Sequence, residues 1–251
     1  MGWYGGGGAG ASVFLKNYLT GLTMSTAGAS TTMTVAAGIA ADSTNALMMV
    51  LASSMNKTTS AFAAGSGNGG MDTGSVAVST WYHFFLISNA AGTSVDVLFS
   101  LSATAPTMPS GFTLFRRIGS MKTTAGTANW GSFVQNGDVF SWLSPPLDFS
   151  SNLTTTASTI TLASCPTGII VLARINLSGA PAVYNYISAL NTTDLAPAAT
   201  AAPGASSVSE TVNFWYYLEI ETNTSAQIRG RGFTTVTTDI VTFGWRDYRG
   251  K

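Results

Sequence analysis

Short runs of apolar, aromatic and β-branched residues follow one another along this chain, and clusters of Gly, Ser, Thr and Asn separate them. Such runs are typical of strands, and their close spacing predicts an all-β protein, an antiparallel β-sandwich or jelly-roll-like fold in two β halves. One segment, STNALMMVLASSM (43–55), fits either a helix capped by Ser43 or a buried strand. The predicted strands are NYLTGLTMS, TTMTVAA, TWYHFFLIS, SVDVLFSLS, FTLFRRIGSM, GIIVLARINL, VNFWYYLEIE, AQIRGRGFTTV and DIVTFGW.

The pair Pro145-Pro146 is the best boundary between the two halves, because proline cannot donate to a strand ladder. The sequence therefore divides into a Gly-rich N-terminal segment over residues 1–14, an N-terminal β domain over 15–144 and a C-terminal β domain over 145–251. No repeat of fixed period is visible.

The chain carries little charge, since only 9% of its 251 residues are charged, against about a quarter in a typical soluble domain. Eleven basic residues balance eleven acidic ones, so we expect no attraction to nucleic acid or to an anionic membrane. No apolar run is long enough to insert into a bilayer, and the start MGWYGGGGAGAS lacks the basic and apolar parts of a signal peptide. A surface with few charges is consistent with contact between subunits, where charged groups would have to be desolvated.

The stretch Asp72-Thr73-Gly74-Ser75 matches the motif around the catalytic aspartate of aspartic proteases. That chemistry needs two carboxylates that share one proton, and the motif occurs only once here. The preceding glycine-rich run has little strand propensity, whereas a catalytic aspartate normally follows a buried strand. A turn is therefore favoured over a protease site.

Other catalytic motifs are also weak. Gly65, Gly67 and Gly70 match a dinucleotide-binding pattern that lacks its flanking strand and helix. Cys165 is the only cysteine, and its apolar neighbours favour a buried structural thiol. Glu219 and Glu221 have a spacing compatible with a glycosidase pair, but a nearby arginine favours a structural role. We therefore predict no enzyme activity, no catalytic residue, no metal site and no cofactor.

The first predicted hairpin turns at residues 89–93, and burial of an apolar row selects its register. This register places His83, the only histidine, on the apolar face near Phe99. A core imidazole bonded to a backbone carbonyl is favoured over a catalytic base, because no nucleophile motif accompanies it. The expected opposing pairs are Trp81 with Leu101, His83 with Phe99, Phe85 with Val97, and Ile87 with Val95.

The second predicted hairpin turns at residues 222–226 and sets Ile220 against Ile228. Opposite charges and aromatic–arginine contacts would then meet across the strands. The resulting face could stack a sugar ring or pack against another subunit, and subunit packing is favoured. The residues of this predicted face are Trp215, Tyr217, Arg229 and Arg231.

Several long phrases resemble a family of phage and prophage virion proteins that are commonly labelled tail fibre or tail proteins. They are NYLTGLTMSTAG, IAADSTNALMMVLAS, GSGNGGMDTGSVAVSTWYHFFLI, VDVLFSLSATAPTMPSGFTLFRRIGSM, FVQNGDVFSW and TNTSAQIRGR…TFGWRDYRGK. The similarity covers about residues 15–251. It implies a non-enzymatic virion component, an all-β homotrimer mounted on the tail or the capsid.

A tail-fibre or tail-tip protein would contact other virion proteins, and host-surface glycan is a candidate ligand. The chain lacks the long shaft of a typical fibre, so a capsid decoration or head-fibre protein remains an alternative, as does a carbohydrate-binding module. We expect the Gly-rich segment to attach the protein to the particle, because glycine lets a backbone follow a partner surface closely and aromatic residues anchor interfaces. The predicted attachment residues are Trp3, Tyr4, Gly5, Gly6, Gly7 and Gly8.

Overall fold

A computed structural model describes residues 15–179, 185–197, 205–207 and 214–249. All regular structure in these residues is β-strand, so the all-β prediction is confirmed. None of them forms a helix long and apolar enough to cross a membrane. The strands are β1 (Leu19–Gly21), β2 (Met24–Ser25), β3 (Thr32–Val35), β4 (Gly38–Ala41), β5 (Met48–Leu51), β6 (Met55–Ala61), β7 (Gly69–Met71), β8 (Trp81–Ser88), β9 (Val95–Ser100), β10 (Leu114–Lys122), β11 (Phe133–Asn136), β12 (Val139–Trp142), β13 (Leu147–Leu153), β14 (Ser158–Thr161), β15 (Leu172–Gly179), β16 (Asn185–Ser188), β17 (Ala205–Ser207), β18 (Phe214–Glu221), β19 (Gln227–Gly232) and β20 (Val236–Arg246).

The strands form four sheets in the described part of the chain. A three-stranded sheet has the order β1-β4-β5, and a seven-stranded sheet has the order β10-β8-β9-β7-β6-β3-β2. A six-stranded sheet has the order β11-β12-β20-β15-β18, with β13 also paired to β20. The fourth sheet has the order β14-β19-β16-β17. Pairing is antiparallel except where β7 runs parallel to β6 and to β9.

The six-stranded sheet crosses the boundary predicted at Pro145-Pro146. Strands β11 and β12 precede this pair, yet β12 is hydrogen-bonded to the C-terminal strand β20. Phe140 of β12 stacks on Trp245 of β20 with ring centroids 5.1 Å apart. One hydrophobic core contains both rings together with Trp81 and Trp130. A shared sheet and a shared core therefore join the two predicted halves.

The segment 43–55 contains a turn and the strand β5, so the helix alternative is wrong and the strand alternative is confirmed. Asp42 organises the turn by accepting backbone hydrogen bonds from Thr44, Ala46 and Leu47. Burial alone would raise the pKa of the Asp42 carboxyl, but these bonds and the Thr44 hydroxyl together lower it. A side chain that satisfies successive backbone N–H groups outside a helix stabilises a turn instead.

The first hairpin forms, but its predicted register is wrong by one residue. His83 pairs with Ser100, and Ile87 pairs with Asp96. The prediction assumed that only one face of β8 is buried, whereas all eight residues of β8 are buried. Phe84 lies in the main core, and Phe85 lies in a second apolar cluster on the opposite face. Burial of one apolar row therefore could not select the register.

The second predicted hairpin is not a strand pair. β18 pairs with β15 in the six-stranded sheet, whereas β19 pairs with β14 and β16 in the four-stranded sheet. The tight turn is present, since Asn223 N–H donates to the Gln227 carbonyl at 3.1 Å. The chain therefore turns between two sheets, and the expected pairing of Ile220 with Ile228 is wrong.

Candidate binding surface

Trp215 and Tyr217 lie on the outward face of β18, with 56% and 48% of their surface exposed. Strand alternation turns Leu218 and Ile220 inward, where both are buried in the core. β18 is an edge strand of its sheet, since β15 is its only strand partner among the described residues. The outward face of β18 thus presents two large aromatic side chains to solvent beside an open strand edge, and the intervening Tyr216 is also 45% exposed.

Arg174 of the neighbouring strand β15 holds Tyr217 in place. Its Nε donates to the Tyr217 hydroxyl at 2.9 Å, and its guanidinium carbon lies 5.8 Å from the centre of the Tyr217 ring. A second donor of Arg174 bonds the Ser141 hydroxyl at 2.9 Å. Phe243 adds a third aromatic ring, 6.4 Å from that of Tyr217. A cation over an aromatic ring and a shared hydrogen bond restrict the orientation of the ring.

Glu219 forms ion pairs with two arginines on this face. It accepts from Tyr217 at 3.1 Å, and it forms ion pairs with Arg174 at 3.6 Å and Arg246 at 3.3 Å. One carboxylate between two guanidinium groups leaves the cluster with a net positive charge. Glu219 is thus engaged by both arginines, and Glu221 accepts a hydrogen bond from the side-chain amide of Asn191.

The predicted face of four residues is divided between two sheets. Trp215 and Tyr217 lie on β18, but Arg229 and Arg231 lie on β19 in the four-stranded sheet. Arg229 donates to the carbonyls of Thr192 and Leu190. Arg231 forms an ion pair with Asp194 at 3.0 Å. The arginines that accompany the aromatic pair are instead Arg174 and Arg246.

Sequence reasoning missed Arg174, Arg246 and Phe243 as part of this face. A signal for Arg174 was present, because the segment LARINLS alternates apolar and polar residues and places Arg174 and Asn176 on one face. The partner strand was the missing information: β15 lies about forty residues from β18 along the chain, and no local pattern reports that pairing. We name the set Arg174, Trp215, Tyr217, Glu219, Phe243 and Arg246 the aromatic face.

His83 is buried in the core, as predicted, but beside Ser100 and not Phe99. Its Nδ1 lies 2.8 Å from the Ser120 hydroxyl. Burial, helped by the nearby positive charge of Arg117, lowers the pKa of His83 to about 4, although Asp247 and a hydrogen bond with the Thr167 backbone oppose the shift. The imidazole is therefore neutral at physiological pH, and it contacts a serine that is itself fully buried.

Asp72 lies in a bend, so the turn interpretation is confirmed. Its carboxylate accepts from the backbone N–H groups of Thr73 and Thr107, both at 2.8 Å. The expectation that no strand precedes it is wrong, because the short buried strand β7 ends at Met71. The glycine-rich sequence has little strand propensity of its own, but hydrogen bonds to the neighbouring strands β6 and β9 hold β7 extended. The Asp72 carboxylate thus connects the end of β7 to the loop that contains Thr107.

Cys165 is buried, as expected, and burial raises the pKa of its thiol well above the usual value. No group of three or more His, Cys, Asp or Glu side chains within the described ranges is placed to hold a metal ion. The predicted attachment residues Trp3, Tyr4, Gly5, Gly6, Gly7 and Gly8 lie outside the described residues.

No protein-family model, curated protein or solved structure matches this chain.

Proposed function

We propose that this chain is a non-enzymatic structural protein of a bacteriophage particle, a tail-fibre or tail-tip component that assembles as a homotrimer. The observation that carries the proposal is the aromatic face, with Trp215 and Tyr217 exposed beside an open strand edge. Large exposed aromatic groups mark sites where proteins bind one another. The phage assignment itself comes from the resemblance of long sequence phrases to virion proteins.

An edge strand of this kind needs a partner. β18 is eight residues long, and an exposed apolar edge invites pairing with another chain unless it is covered. Contact between copies would cover both the edge and the aromatic side chains. The chain's equal numbers of acidic and basic residues are compatible with such close contact. A jelly-roll-like sandwich as the protomer of a trimer is part of this proposal, as is location on the virion surface.

The interface is tested on the purified protein. Trp215→Ser together with Tyr217→Ser should convert trimers to monomers in mass photometry, because truncated aromatic anchors typically cost about 2–4 kcal/mol each in an interface. Circular dichroism should stay unchanged, since both side chains point away from the core. Leu101→Ser is the matched control, because Leu101 is 59% exposed just after β9. Trimers that persist in the double variant would place the interface elsewhere.

The location is tested on intact particles of the source virus by cryo-electron microscopy. Density for this chain on the tail or its tip is the expected result. A chain spread over the capsid lattice in hundreds of copies would establish the alternative, a decoration or head-fibre protein. Absence from the particle would overturn both and favour a free carbohydrate-binding module.

A further inference from the structure

A groove separate from the aromatic face opens where four loops meet. It has a volume of about 360 Å³, within the usual range of small-molecule sites. The loops after β10 and β12 form two of its walls, and the segments around Ser79 and Ser164 close the others. The lining residues are Ser79, Lys122, Thr123, Thr124, Ala125, Gly131, Trp142, Ser144, Pro146 and Ser164.

Trp142 forms the rigid apolar wall of this groove. Its indole N–H donates to the Ser164 carbonyl at 3.0 Å. Its ring packs against Trp81 and Trp245 at centroid distances of 6.0 and 5.4 Å. The ring also lies over Gly131, where an added Cβ would come within 2.8 Å of it. A tryptophan fixed on several sides offers a flat surface without loss of side-chain entropy on binding.

Among the described residues that line the groove, Lys122 is the only charged one. Its ammonium group donates to the Ala163 carbonyl at 2.9 Å and makes no ion pair within the described part of the chain. An ammonium group has three N–H donors, so two remain for a ligand. The hydroxyls of Ser79 and Ser144 also make no hydrogen bond to other described residues and can donate or accept.

We propose that this groove binds a saccharide that carries a carboxylate. A sugar ring has a face of C–H groups with partial positive charge, which matches the negative face of an indole. Its hydroxyls match the free serines, and a carboxylate matches the unpaired ammonium of Lys122. A neutral apolar ligand would leave that ammonium without a counter-charge, and a cationic ligand would be repelled by it.

In a virion protein, this groove would be the site that contacts host glycan. The inference rests on the proposed function only for the source of the saccharide. Binding itself is a property of the purified chain. If the chain is found in the particle but binds no saccharide, only the groove proposal is wrong. If it binds a saccharide but is absent from the particle, only the virion assignment is wrong.

The test uses the full chain on an array of oligosaccharides that contain hexuronic or nonulosonic acids, with their neutral counterparts alongside. We expect binding to the carboxylated members. Lys122→Gln should weaken it about tenfold, the value of one charge-assisted hydrogen bond, and should not affect binding to neutral members. Lys16→Gln is the control, because Lys16 is an exposed lysine outside the groove.

A second variant fills the groove without replacing any residue of the aromatic core. Ala125→Trp places a large side chain at an exposed position of the groove wall and should abolish binding while thermal unfolding stays unchanged. Binding that survives Ala125→Trp would overturn the assignment and would direct attention to the aromatic face, which Trp215→Ser then tests. Equal binding of neutral and carboxylated members, or none at all, would also overturn it.

Discussion

Lys57 carries a charge in the interior of the seven-stranded sheet, and its side chain is 0% exposed. Its ammonium forms an ion pair with Asp96 at 2.9 Å and donates to the carbonyls of Ala63 and Gly65 at 2.8 and 3.2 Å. It also lies 4.7 Å from the centre of the Phe62 ring. All three donors of the group are therefore used. Burial lowers the pKa of Lys57, and Asp96 opposes the shift.

Replacement of this lysine should be costly because it leaves the carboxylate of Asp96 buried and uncompensated. Lys57→Met is expected to lower the free energy of unfolding by about 3–5 kcal/mol, measured by urea denaturation. Asp96→Asn in the same chain should restore part of the loss. The amide oxygen can still accept from the Gly65 N–H, a bond of 2.7 Å in the native protein, and it carries no charge. A double variant no more stable than the single one would show that the unpaired charge is not the cause.

At the scale of elements, the bulge in β20 decides which side chains enter the core. The pairing of β20 with β15 skips Phe243, between Thr242 and Gly244. Thr242 therefore points inward before the bulge, and Trp245 points inward after it. Gly244 has φ of +155° and lies so close to β12 that an added Cβ would fall 1.9 Å from the Phe140 carbonyl oxygen. Only glycine fits at this position without movement of the backbone.

Gly244→Ala should therefore destabilise the protein strongly, because the clash is with backbone and not with a flexible side chain. We expect a loss of at least about 3 kcal/mol in the free energy of unfolding, with a change in tryptophan fluorescence as Trp245 shifts. Gly137→Ala is the matched control: its φ is +57°, and nothing lies within 4 Å of an added Cβ. The control should lose only about 1–2 kcal/mol from its left-handed backbone. Equal losses in the two variants would contradict this explanation.

The elements differ in how far sequence could predict them. Apolar runs and turn residues predicted the all-β class, β8, β9 and the bend at Asp72, because those signals are local. The register of β8 with β9 was wrong because both faces of β8 are buried. β18 and β19 were wrongly paired because a turn such as Asn223–Gln227 shows that the chain reverses, not that the flanking strands join one sheet. For the aromatic face, Trp215 and Tyr217 were predicted and their arginine partners were not.

At the scale of the whole molecule, His83 lies where the seven-stranded sheet meets the chain's C-terminal segment. Arg117 of β10 bonds Asp247 through two hydrogen bonds of 2.6 and 2.7 Å, and its guanidinium also contacts Ser120 at 3.4 Å. Nearby in sequence, Arg249 forms an ion pair with Asp138, with 2.7 Å between Nε and Oδ1. Protonation of His83 would add a buried positive charge beside Arg117. The folded state therefore resists protonation at this position.

This resistance makes the stability of the protein depend on pH in a defined window. The pKa of His83 is about 4 in the folded protein, whereas the ordinary value of 6.5 applies to the unfolded chain. Between these values the unfolded chain binds a proton that the folded chain does not, so stability falls as pH decreases from 6.5 to 4. A difference of one bound proton lowers the free energy of unfolding by up to about 1.4 kcal/mol for each pH unit of acidification. The low pKa of Asp42 acts in the same direction but at lower pH, below its ordinary value of 3.8.

The variant His83→Gln isolates the contribution of the imidazole to the pH dependence of stability from that of every other titrating group. Glutamine can still form a hydrogen bond with Ser120, but it does not titrate, so urea midpoints for this variant should change less between pH 6.5 and pH 4 than those of the native protein. Plots of urea midpoint against pH should differ most in slope within that window. They should become parallel at neutral pH, where the native imidazole is uncharged in both the folded and the unfolded protein. An unchanged slope in the variant would mean that another group controls acid unfolding.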